Sequence, residues 1–310
     1  MSNETLLWIG FHVFILFMLA LDIGVFHKKA HAISVKEALW WSLFWIALSG
    51  AFAVGLYFFR SPVSSTEFAT AYIIEKSLSV DNLFIFLTIF SYFKVPDKYQ
   101  HKVLFWGVLG ALIMRALFII VGVAILAKFH FIIYLLGGFL VFTGFKLFFA
   151  KEDSEFKPET SFTLKIVRRF IGVSKHYHDD KFFIKKMGYL FATPLFMVLA
   201  LVETTDLVFA LDSIPAVLAV SPDSFIVYTS NIFAILGLRS LYFALAGIVG
   251  LFHYLNYGLA IILTFIGAKM MISGYYKIPI EFALLTVLFV LASSVLLSIA
   301  FPKSPKEDAI

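Results

Sequence analysis

The chain has 310 residues, of which 61% are hydrophobic and only 15% charged. A soluble domain carries about 25% charged residues, so a soluble globular fold, a disordered chain and a nucleic-acid module are excluded. The absence of cysteine also removes disulfides, thiolate metal sites and cysteine nucleophiles, and leaves the class of polytopic helical membrane proteins.

A helix needs about 20 apolar residues to cross a bilayer. Nine stretches qualify, at roughly 5–26, 38–59, 69–93, 103–127, 129–149, 188–220, 224–250, 253–275 and 279–301. The fold class is therefore all-α, with nine transmembrane helices in one transmembrane domain over 1–310. Ala30-His31-Ala32 resembles a signal-peptide cleavage site. However, Lys28 and Lys29 follow the first apolar run instead of preceding it, the reverse of a signal peptide's charge order. The first span is expected to stay in the protein. Most connections are short. The exception, 150–187, is rich in both signs of charge and is expected to hold one short amphipathic helix or little structure.

Orientation follows from the distribution of Lys and Arg. With the N-terminus outside, seventeen fall in inside segments, and only Arg60, Lys128 and Lys277 fall outside. The prediction is N-terminus out, with the C-terminus and the 150–187 loop cytoplasmic, in the plasma (bacterial inner) membrane. The formal net charge of +5 is thus mostly topological.

Five basic residues remain, all inside spans: Lys76, Arg115, Lys146, Arg239 and Lys269. Gly144-Phe145-Lys146 in the fifth span matches Gly267-Ala268-Lys269 in the eighth. Arg115 in the fourth span matches Arg239 in the seventh. Glu75 and Asp81 in the third match Asp206 and Asp212 in the sixth. The order acid–acid, Arg, Gly-x-Lys therefore occurs twice. Intramembrane charges are rare enough for this to carry weight. The unit is three spans, repeat 1 over about 69–149 and repeat 2 over about 188–275, and an odd unit must invert in the membrane. An inverted 3+3 repeat is the signature of a transporter with alternating access and a midplane site between the repeats.

Six acids lie within spans: Asp22, Glu75, Asp81, Glu203, Asp206 and Asp212. An isolated charge at the bilayer centre costs about 2.5–3.5 kcal/mol on insertion scales, so these groups should face one another in the interior. Asn82, Ser79 and Ser213 lie beside them. All are hard oxygen donors, which suit Mg²⁺, Ca²⁺ or Mn²⁺ over Zn²⁺ or Cu⁺. The candidate metal ligands are Glu75, Asp81, Asn82, Glu203, Asp206 and Asp212. Asp22, Ser79, Ser213, Arg115, Arg239, Lys146 and Lys269 are supporting or charge-pairing residues. A spacing of six turns about 240° around a helix. Asp206 and Asp212 can therefore share a site only if the helix breaks, and Pro215 supplies a reason for a break near Ala210–Asp212. The competing explanation is structural pairing, in which the intramembrane bases neutralise most of the acids. A mixed arrangement is expected.

These strings resemble the TerC family of integral membrane proteins, and within it the Alx branch. The resemblance rests on Glu75-Lys76-Ser77-Leu78-Ser79-Val80-Asp81-Asn82, on Glu203-Thr204-Thr205-Asp206 with Asp212-Ser213-Ile214-Pro215, and on Ser230-Asn231 through Gly237-Leu238-Arg239. It implies a nine-span fold related by analogy to the LysE-type exporters, and a role in manganese efflux. The residues by themselves point to a divalent-cation transporter; the resemblance adds Mn²⁺ as cargo and the outward direction.

The expectation is a non-enzymatic secondary transporter exporting Mn²⁺ from the cytoplasm, with no organic cofactor and no nucleic-acid partner. Moving a dication outward against 100 mV, inside negative, costs about 4.6 kcal/mol, so a coupling ion is needed, and H⁺ is the simplest. Clustered carboxylates can exchange protons for metal because like charges hold protons more tightly. The alternative is a non-transporting membrane factor that assists assembly or metal loading of other membrane or exported proteins, with the 150–187 loop as its docking surface. An intramembrane aspartyl protease lacks its Gly-x-Gly-Asp string here, and an amino-acid exporter fits poorly with an acid-lined site.

Overall fold

The computed structural model describes residues 3–24, 35–129, 131–149, 161–186, 188–246, 254–276 and 278–301. The chain folds as helices α1 (Asn3–Gly24), α2 (Val35–Phe59), α3 (Pro62–Tyr92), α4 (Asp97–Lys128), α5 (Ile132–Phe148) and α6 (Phe162–Phe170), then strands β1 (Gly172–Val173), β2 (Phe183–Lys186) and β3 (Tyr189–Ala192). Helices α7 (Pro194–Leu218), α8 (Ser224–Leu236), α9 (Leu238–Ala246), α10 (Leu255–Ile272) and α11 (Ile280–Ala300) follow.

Six described helical stretches are long and apolar enough to cross a membrane: 36–59, 97–126, 194–218, 224–245, 255–272 and 280–300. Two shorter apolar helices, Glu4–Met18 and Ile132–Phe148, accompany them. The protein is an all-α polytopic membrane protein whose one sheet is small.

Several helices overrun the apolar stretches that predicted them. α3 begins at Pro62, seven residues before its apolar run. Ser61 caps it, its Oγ accepting from the Ser64 amide at 3.0 Å, and Pro62 starts the first turn, where its missing N–H costs nothing. α4 likewise starts at the polar Asp97.

Three expectations need correction. The sixth span does not begin near 188, because Tyr189–Ala192 is strand β3 and α7 starts at Pro194. The 150–187 loop holds the one short amphipathic helix that was one of its two expected forms, α6, but also the strands β1 and β2; its residues 150–160 and 187 lie outside the described ones. β3 is central in the sheet, parallel to β1 and antiparallel to β2. The tight connection from β2 uses Gly188 at φ +84°, a conformation an L side chain resists. Third, α7 is not broken near Ala210–Asp212 but is helical through Leu218, with Pro215 inside its last turns. A proline this close to a C-terminus removes one hydrogen bond without unwinding the helix. The interruption lies instead in the seventh span, at Gly237 between α8 and α9.

In lipid, helices gain little from burying apolar surface and associate through close packing of small residues and polar contacts. α8 and α9 form the centre, with 83% of their apolar window buried, against 22% for α2 and α11. α3 packs on α8 as α4 packs on α7, and α3 meets α7 at the middle. α5 and α10 form the closest pair. A Cβ on Gly137 would stand 2.8 Å from the Gly267 carbonyl, and one on Gly144 would stand 2.7 Å from the Ala260 carbonyl. The contacts advance along α5 as they retreat along α10, so the two helices run antiparallel. α4 and α7 run parallel, since Gly107 meets Val202 and Gly122 meets Leu218. α1 is held off by large rings: Phe11 lies 5.8 Å from Phe52 and 6.0 Å from Phe233 between ring centres.

Candidate functional site

Arg115 sits near the middle of α4 and is 1% exposed. A buried guanidinium must find acceptors for its five donors, and three other helices supply them. From α3, Glu75 accepts from Nη1 through a tight ion pair. From α7, Asp206 accepts side-on from Nε at 3.5 Å and Nη2 at 3.3 Å. Ser213, two turns further along α7, lies 3.4 Å from Nη1. From α8, the Asn231 Oδ1 accepts from Nη1 at 2.9 Å, while its amide nitrogen donates to the Val227 carbonyl. One arginine thus ties the third, fourth, sixth and seventh spans together.

The described core carries one cation against two anions, a formal charge of −1. Two polar atoms beside it lack a described hydrogen-bond partner although buried: Glu75 Oε2 and, one turn along α3, Ser79 Oγ. Asn82 is buried three residues beyond Ser79. These atoms leave acceptor capacity unspent on α3 beside the Arg115 cluster. The predicted Glu75, Asp206, Ser213 and Arg115 meet here, with Ser79 and Asn82 on the same helix as Glu75.

The remaining predicted residues fall elsewhere or outside. The side chains of Asp22, Asp81 and Asp212 lie outside the described residues, and only their helices are placed. Glu203 is half-buried one turn before Asp206, with its carboxylate packed over the backbone of Gly110 on α4. Arg239 is buried at the start of α9, just past Gly237. Lys146 is exposed in the last turn of α5. Lys269, in the last turn of α10, lines a 610 Å³ cavity with Val123, Leu218 and Met270. Among the described residues, no three His, Asp or Glu side chains gather closely enough to hold a metal ion. Both central carboxylates that are described turn to Arg115.

Two functional residues escaped sequence reasoning. Asn231 completes the Arg115 shell, and only its place in a polar Thr-Ser-Asn run hinted at this. Lys76 reaches across from α3 to the end of α8, where its ammonium donates to the Ala234 carbonyl at 3.2 Å and packs against Gly237. The end of α8 at Gly237 carries the negative end of the helix dipole, and the Lys76 ammonium lies against it. A glycine two residues before an intramembrane arginine was the available signal.

The family model for the integral membrane protein TerC family matches residues 60–306. The chain belongs to this family. A membrane protein of Myxococcus xanthus is 49% identical over 304 residues, spanning 98% of this chain and 95% of its own. Relatives from Salmonella typhi and Photorhabdus laumondii carry the name of a candidate membrane-bound redox modulator, Alx. They are 43% and 44% identical, covering 94% and 96% of this chain and 94% and 95% of their own lengths. No solved structure matches the chain significantly.

Proposed function

We propose that this TerC protein is a secondary transporter that exports divalent manganese from the cytoplasm in exchange for protons. The carrying observation is the four-helix junction at Arg115. It buries two carboxylates against one guanidinium and leaves Glu75 Oε2 and Ser79 Oγ without a partner among the described residues. A formal excess of negative charge lined by hard oxygens favours a divalent cation. In this reading Arg115 holds Glu75 and Asp206 in place, and Asp81 and Asp212 on the same two helices complete the metal's ligands with Asn82. Glu203 stands on the path. Two protons that take the place of one metal ion keep the buried charge unchanged in the empty carrier.

The nine-span fold and the inverted repeat belong to the same proposal, with α8 and α9 together as the seventh span. Exchanging α3 with α7, α4 with α8 and α5 with α10 turns the α3–α8 packing into the α4–α7 packing and the α5–α7 contact into the α3–α10 contact, and leaves the α3–α7, α4–α8 and α5–α10 pairs as they are. It also converts the Gly144–Ala260 contact into the Gly267–Gly137 contact between antiparallel helices. The N-terminus is then outside, and the C-terminus and the 161–192 segment are cytoplasmic.

The names of the relatives point toward redox. A thiol-based route is closed here, since the chain has no cysteine. The test is Mn²⁺ flux in proteoliposomes under an imposed pH gradient, comparing wild type with Asp81→Asn and Asp212→Asn. Flux by the wild type that both variants lose, with their folding intact, supports the reading. A wild type that moves no Mn²⁺ under any ion gradient sinks it and leaves the assembly-factor alternative.

A further inference from the structure

Helix α6 has three distinct faces. Leu164, 2% exposed, and Val167 pack into the core. Phe162, Ile166 and Phe170 recur every four residues and form a second, apolar stripe with exposures of 76%, 40% and 78%. Lys165, Arg168 and Arg169 occupy the third face and are exposed. At 100° per residue the stripe spans about 80° and lies next to Arg169. A stripe of two phenylalanines and an isoleucine facing water would be costly.

The packing places this stripe at membrane depth. α6 runs antiparallel along the first turns of α7, with Thr163 Oγ1 donating to Thr204 Oγ1 at 3.1 Å. Thr204 follows Glu203, which packs on Gly110 of α4. The polar boundary on α4 is at Lys102, whose ammonium pairs with Asp180 at 2.8 Å beside the small sheet. From Lys102 to Gly110 is eight residues, or about 12 Å of helix rise. The Phe162 end of α6 thus lies about 12 Å deeper than this boundary, past the roughly 5–10 Å to which interfacial helices bury their apolar faces. Arg168 and Arg169, at the other end, return toward the level of Lys102.

We propose that α6 is an interfacial anchor. Its Phe162 and Ile166 side chains insert into the acyl region of the leaflet on its side, Phe170 sits at headgroup level beside Arg169, and Lys165, Arg168 and Arg169 hold anionic phospholipid headgroups. The basic flank decides the headgroup class, since each Lys or Arg at an anionic surface favours binding there. The inference depends on the membrane fold and not on what the protein transports.

The chain's lack of cysteine gives a direct test. Single nitroxide labels at Phe162→Cys, Ile166→Cys and Arg168→Cys are read by electron paramagnetic resonance in nanodiscs of phosphatidylcholine and phosphatidylglycerol. At 162 and 166, collision with oxygen should exceed collision with a water-soluble nickel chelate several-fold, and the order should reverse at 168. Chelate access at 162 and 166 would place the stripe in water. Protection from both reagents would mean that protein covers it. Either result overturns the proposal. In native mass spectrometry, the wild type should retain phosphatidylglycerol over phosphatidylcholine. The combined Lys165→Gln, Arg168→Gln, Arg169→Gln variant should lose that preference several-fold. An unchanged preference would refute the assignment of the headgroup site.

Discussion

Replacing Arg115 by glutamine tests whether the junction is an obligate ion cluster. The substitution keeps a polar, hydrogen-bonding but shorter side chain and removes the charge. It leaves Glu75, fully buried, and Asp206, 4% exposed, without their cation. Stranding a charge by removing one partner of a buried pair costs about 3–5 kcal/mol, more than the loss of the hydrogen bonds to Asn231 and Ser213 alone would. For a chain of this size each kcal/mol moves the unfolding midpoint by roughly 2 °C, so Arg115→Gln should unfold roughly 6–10 °C below wild type. The assay is tryptophan fluorescence of the detergent-purified protein, heated at one fixed rate. Adding Glu75→Gln and Asp206→Asn to the same chain removes the stranded charges and should recover more than half of the loss. A single variant within about 2 °C of wild type, or a triple variant no better than the single, would refute the argument.

Three other outcomes follow from local geometry. Gly267→Ala places a Cβ 2.5 Å from the Gly137 carbonyl and 2.8 Å from the Val141 amide. Neither can move aside, so an overpacking cost of about 1–3 kcal/mol should exceed the helix-propensity gain of about 1 kcal/mol. Gly138→Ala, with open space around it, should keep or raise the same unfolding midpoint. Gly110→Ala meets only the flexible end of Glu203; it should leave the midpoint unchanged and slow Mn²⁺ flux in proteoliposomes several-fold. The docking of the small sheet should depend on pH at both extremes. Burial pushes the Tyr177 hydroxyl, which donates to the Phe93 carbonyl at 2.8 Å, up to about 12. Its folded value exceeds the unfolded value near 10, so its stabilisation is complete below pH 10 and lost as pH rises toward 12. Phenolate absorbance should show this late step and lose it in Tyr177→Phe. The hydrogen bond from Lys102 holds the Asp180 carboxyl below its usual value. That contribution is present above the unfolded value near 4 and is lost as pH falls through the lower folded one. Asp180 is largely exposed, so Asp180→Asn should cost no more than about 1 kcal/mol at neutral pH.

The membrane class, the helical architecture and most of the apolar segments could be read directly from residue order, because a bilayer demands long apolar runs whatever their neighbours are. Intramembrane charge was legible for the same reason: Glu75, Asp206 and Arg115 stand out in apolar sequence and do meet. Tertiary packing decided how they meet. Nothing in the local sequence says that Arg115 takes both acids and Asn231, or that Lys76 crosses to the end of α8, because those partners come from helices distant in sequence. Proline was read as the breaker, yet α7 absorbs Pro215 near its end. The interruption falls at Gly237, against which the end of Lys76 packs. α6 was expected only as one of two forms of the 150–187 loop, and β3 was read as the start of the sixth span. β3 is held by pairing with β1 and β2, and a four-residue, mainly apolar strand that leads into an apolar helix has no boundary of its own in the sequence. Composition chose the solvent and the segments. The choice between charges that pair and charges left to bind depended on distances that only the folded chain defines.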